Sequence, residues 1–86
     1  MTALILYIPR SDHGGMTERY LDDFKRDYPD SDISLMDAES REGISKCGLY
    51  DIFQYPSIIV FDQNMVMQNS WIGKLPPSDE IMSYMR

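Results

Sequence analysis

Apolar side chains along this chain fall into four short extended runs and three stretches of helical spacing. Ala3 to Ile8 is continuously apolar without alternation, as expected of a strand covered on both faces, and Pro9 ends it. From Met16 to Tyr28 the residues Met16, Tyr20, Leu21, Phe24 and Tyr28 recur at helical spacing between acids and bases, which predicts an amphipathic helix stopped by Pro29. Ile33 to Met36 predicts a second short strand between Asp30–Asp32 and Asp37. A strand, helix and strand joined by a connection of this length pair in parallel with a right-handed crossover. Glu39 to Cys47 predicts a short, irregular helix, weakened by Gly43 and ended by Gly48. Ser57 to Phe61 reads as a fully buried strand opened by Pro56, a position where a sheet tolerates a residue with no N–H to donate. A turn at Gln63-Asn64, with Asn64 in the left-handed region, returns the chain as a further run from Met65 to Ile72. If alternation holds, Met65, Met67 and Trp71 share one face of that run. Pro76-Pro77 breaks the chain, and Ser78 caps a last helix with Asp79 and Glu80 in its first turn and Ile81, Met82 and Met85 buried.

Eighty-six residues suffice for a single domain, residues 1–86, with one modest core. The net charge of -6 excludes nucleic acid and anionic membrane surfaces as expected partners, since both would be repelled. Residues 18–42 carry nine of the fourteen acids against four bases, which reads as a solvated, mutually repelling surface. One cysteine cannot form an internal disulfide. With no basic-flanked leader and no run long enough to span a bilayer, the expected location is cytoplasmic.

The segment from Tyr50 to Gly73 resembles the C-terminal half of the thioredoxin-like fold. In that superfamily a cis proline opens the third strand of the minimal fold, a hairpin follows, then a glycine and a final helix. Pro56, the runs Ser57–Phe61 and Met65–Ile72, and Gly73 match those features. The resemblance implies an α/β domain of order βαβαββα. Its four-stranded mixed sheet is ordered 2-1-3-4 with the last strand antiparallel at the edge, packed between helices, with a cis bond before Pro56. Redox-active relatives carry CxxC or CxxS where the first strand meets the first helix, because the helix start lowers the pKa of the first sulfur. Alignment on Leu21 to Phe24 and Tyr28 puts that motif on Ser11-Asp12-His13-Gly14. Ser11 then stands at the nucleophile, Gly14 at the resolving cysteine, Ile5 at a buried carboxylate and Arg10 at a tryptophan. With neither sulfur at the motif, no catalytic residue is assigned and dithiol exchange is not expected.

Ser11, Asp12 and His13 follow one another at a helix entrance and diverge, so they do not make a triad; Ser11 or Asp12 is expected to cap the helix. The expected ligand-binding cleft joins Arg10, Ser11, Asp12, His13 and Gly14 to Tyr55, Pro56 and Ser57. Free N–H groups at the helix start with Arg10 and His13 would meet an acidic end, and the backbone of Tyr55 would pair with an extended peptide. An unidentified protein or peptide is thus the expected partner. The alternative is glutathione, handled as in transferases that hold its sulfur with a serine, here Ser11. A third reading is a thiol sensor through Cys47, which Lys46 adjoins, although an isolated helical cysteine more often behaves as a small buried hydrophobe. No metal is expected, and His13 reads as a surface loop residue. Trp71 would anchor a partner if the edge strand left it uncovered.

Overall fold

A computed structural model describes residues 1–85. The elements are β1 (Thr2–Tyr7), α1 (Gly14–Asp27), β2 (Ile33–Asp37), α2 (Arg41–Leu49), β3 (Ser57–Phe61), β4 (Met67–Trp71) and α3 (Ser78–Met85). They form one four-stranded sheet of order β2-β1-β3-β4. β1 runs parallel to β2 and antiparallel to β3, and β4 closes a hairpin on β3. This is the expected α/β architecture.

Continuous apolar runs in β1 and β3 supply both layers, because successive side chains leave a strand on opposite faces. Ala3, Ile5, Ile58 and Val60 point to one side, where Phe24 of α1 and Ile81 of α3 cover them. Leu4, Leu6, Ile59 and Phe61 point to the other, under Ala38, Cys47 and Ile52. Full burial of each such side chain contributes roughly 1.5–3 kcal/mol. The helix stripe of α1 holds except at its start: Met16 is 56% exposed, because the buried face there is taken by Gly14 and Thr17 and Met16 lies off it.

Several expectations need correction. α2 continues through Gly48 to Leu49 and begins at a Ser40 cap whose hydroxyl accepts the Gly43 N–H at 3.0 Å. Gly43 does not loosen this helix. A Cβ there would lie 2.0 Å from the carbonyl oxygen of Asp37, so its missing side chain lets α2 rest on the end of β2. In the β3–β4 turn the left-handed residue is Met65 (φ 63°), not Asn64, because the Asp62 carboxylate accepts the N–H groups of Asn64 and Val66 and shapes the turn one residue later. β4 therefore starts at Met67. Opposite Phe61 the register slips past Gln68, so Val60 faces Asn69 while Phe61 faces Met67. This bulge breaks the alternation and turns Met67 to the side opposite Trp71. Trp71 itself is covered: it is 6% exposed, donates its indole N–H to Glu80 and meets Tyr84 edge-on at 5.4 Å. It is a core residue, not a free anchor.

Candidate functional site

The end of β1 carries the loop where the first helix begins. Both backbone groups of Ile8 are held by that loop: its N–H donates to His13 Nε2 at 3.1 Å, and its carbonyl accepts the Ser11 hydroxyl at 2.6 Å and the Ser11 N–H at 3.1 Å. The Ser11 carbonyl in turn accepts the N–H of Gly14. His13, not Ser11 or Asp12, occupies the cap position, with helical dihedrals and no side-chain cap bond. The Ser11 hydroxyl is turned back toward β1, which is why it does not cap. The backbone N–H groups of Gly15 and Met16 stay without partners among the described residues. Gly14 is needed here for space, since a Cβ would stand 2.0 Å from the carbonyl oxygen of Pro9. Arg10 and Asp12 are exposed, and His13 is half-buried, contrary to a surface loop position.

Register brings the second half of the cleft to the same end. Leu6 faces Ser57, so the start of β3 lies beside the end of β1. The Tyr55–Pro56 peptide bond is cis. Ser57 is fully buried; its hydroxyl donates to the Gln54 carbonyl at 2.6 Å and accepts the Gly73 N–H at 2.9 Å, tying this corner to the end of β4. Pro56, Ser57 and Gly14 are buried, so this cleft offers a ligand mainly backbone together with Arg10, Asp12 and the loop. Neither the N–H nor the C=O of Tyr55 has a hydrogen-bond partner among the described residues.

Cys47 is 5% exposed in the layer under α2. The single Tyr55 hydroxyl proton is shared between the Cys47 sulfur at 3.5 Å and the Ile52 carbonyl at 3.2 Å. The hydrogen bond to Cys47 and then burial push the Tyr55 phenol up to about 12. The only cysteine of the chain is thereby linked to the residue before the cis proline, a connection that sequence separation hides. Sequence reasoning also missed Phe53, which is 74% exposed two residues before Tyr55. No sequence pattern marks it: the chain leaves α2 through Asp51 at φ 56° and buries Ile52, which turns the next side chain outward. Among the described residues no three of His, Cys, Asp and Glu converge as a metal site would require.

The strand order, the helices on both faces and the proline at the start of β3 define a thioredoxin-like fold. Solved structures agree. Thioredoxin 1 from Thermosipho africanus superposes with a TM-score of 0.70 at 14% identity, over 99% of this chain and 90% of that one. Mitochondrial thioredoxin 3 from Saccharomyces cerevisiae gives 0.72 at 16% identity, over 94% and 74%. Thioredoxin O2 from Arabidopsis thaliana gives 0.70 at 13% identity, over 98% and 70%. No protein-family model matches the sequence, and none of the curated proteins does. At these identities the likeness is one of fold.

Proposed function

We propose that this thioredoxin-like domain is a redox-inactive binding module that holds an extended segment of a protein or peptide partner, in the cytoplasm, against the cis-proline corner. The observation that carries the reading is that the N–H and C=O of Tyr55, beside the cis bond, have no partner among the described residues, a backbone pair ready to add one strand-like contact. Exposed Phe53 adds an apolar anchor beside it, and the Gly15 and Met16 N–H groups with Arg10 offer an anionic end its contacts. Chemistry of the redox-active relatives needs an exposed thiolate at the helix start. Here that position is Ser11, whose proton is already given to the Ile8 carbonyl, and the only thiol, that of Cys47, lies buried elsewhere.

The test pairs an insulin-reduction assay with an amide NMR titration using a pool of short unstructured peptides. Insulin reduction is expected at the background rate, and saturable shifts are expected at Ser11 to Gly15, Phe53, Gln54 and Tyr55. Reduction above background would overturn redox inactivity, and spectra unmoved by every peptide would overturn the binding reading. Reduced glutathione is the comparison ligand: shifts at Ser11 with glutathione and none with peptides would move the assignment to glutathione handling.

A further inference from the structure

At the end of the sheet away from the cis proline, a groove of about 470 Å³ opens between the end of α1, the loop to β2 and the end of α3. Its apolar wall is Met1, Tyr28, Pro29, Met82 and Met85, and its rim carries Asp27, Asp30 and Asp32. Methionine walls adapt to differently shaped apolar side chains. Among the described residues this rim carries three carboxylates and one nearby ammonium, that of Lys25. Asp27 is the last residue of α1, where the helix dipole already favours a cation over an acid. Of the two bases of that last turn, Arg26 pairs with Asp23 at 2.9 Å, and Lys25 Nζ donates to the carbonyl of Ser31, itself a groove residue, at 2.6 Å, so it stands at the rim without pairing either carboxylate. Asp32 accepts the Thr2 hydroxyl, while Asp27 and Asp30 have no partner among the described residues.

We propose that this groove binds a short peptide segment that sets a lysine or arginine beside apolar side chains, the apolar groups on the methionine wall and the cation on Asp27 and Asp30. The inference stands apart from the cis-proline reading, since no residue is shared between the two places. Charge complementarity selects this occupant: an acidic segment is repelled, and a purely apolar one leaves the rim unanswered.

The test uses the full chain with ¹³C-methyl methionine and three acetylated peptide amides, Leu-Lys-Phe-Arg, its neutral counterpart Leu-Gln-Phe-Gln and the cation-only Gly-Lys-Gly-Arg. The Met82 and Met85 methyl signals are expected to move saturably with the first and far less with either control. The double variant Asp27→Asn, Asp30→Asn, in which both sites are exposed, is expected to weaken the first peptide about fivefold, as two surface pairs would. Equal response to the neutral peptide, or unchanged affinity in the double variant, would overturn the charge-reading role. Equal response to the cation-only peptide would overturn the apolar seat, as would methyls unmoved at millimolar peptide. If the methyl signals shift on concentrating the protein alone, a second copy fills the groove and the proposal fails.

Discussion

Ser11, His13 and three tyrosines show how far a side chain's partners can lie from what its residue type suggests. A serine before a helix suggests a cap, and a lone loop histidine suggests solvent. Both instead close on Ile8, because a strand end leaves an N–H and a carbonyl that something must satisfy. His13 Nε2 is thereby occupied by the Ile8 N–H and turned away from a ligand in the cleft. Tyr7, Tyr20 and Tyr55 are each pushed up to about 12. Burial leads for Tyr7, helped by its bond to Glu18, and for Tyr20 beside Glu80 and Asp79; the Cys47 contact leads for Tyr55. In the unfolded chain these phenols ionise near 10, whereas in the folded chain they stay protonated to about 12. Their contribution to stability is complete below pH 10 and is lost as pH rises toward 12. Phenolate absorbance should accordingly show a late phase that Tyr7→Phe, Tyr20→Phe and Tyr55→Phe each diminish, with urea stability falling across the same window. A late phase unchanged in all three variants would contradict the assignment.

Helix and strand boundaries were legible where apolar spacing or proline set them, as at Pro9, Pro29 and Pro56. They were not where a contact distant in sequence decides. Gly43 read as a weak point because glycine is costly in a helix, yet its neighbour is the backbone of β2, which no local pattern announces. The bulge at Gln68 is hidden for the same reason: nothing in Met65 to Ile72 says which residue will lack a partner on β3. Two glycines of α2 make the point measurable. Gly43→Ala should destabilise by roughly 1–3 kcal/mol or more, since the new methyl meets backbone that has little room to yield. Gly48→Ala, with nothing within 4 Å of its Cβ, should stabilise by about 0.5–1 kcal/mol through helix propensity alone. Urea unfolding of both variants decides it. Similar small effects of either sign would mean that α2 is not seated on β2 as described.

Across the whole molecule, the sheet order and two-layer core follow from β1 and β3 being apolar on both faces, and this part was readable in advance. The cleft was readable in position, because the strand-to-helix junction and Pro56 are both marked in sequence, but not in content: Phe53 and the Tyr55–Cys47 contact depend on how the chain leaves α2. The distal groove was marked only by Met82 and Met85 of the last helix, since its other walls, Met1 and the Tyr28-Pro29 pair, come from far along the chain. Charge is the other property of the whole. The chain carries -6, and among the described residues a single ion pair, Arg26–Asp23, joins two exposed side chains. A pair of that kind contributes about 0–1 kcal/mol, so screening it costs little. Repulsion among the acids of α1, β2 and the loop between them acts over distances that salt at physiological strength screens. Raising sodium chloride from a few millimolar to physiological strength should then stabilise the fold by on the order of 0.5 kcal/mol, a rise of a few degrees in Tm for a chain of this size. Chloride is the right anion for the measurement, because sulfate would strengthen apolar burial and mask the charge effect. The Asp27→Asn, Asp30→Asn variant should start from a higher Tm at low salt and gain less from added salt. A Tm that falls as chloride is added would mean that attractive pairs outweigh repulsion, and the acidic surface would have to be read as bound to the protein's own cations.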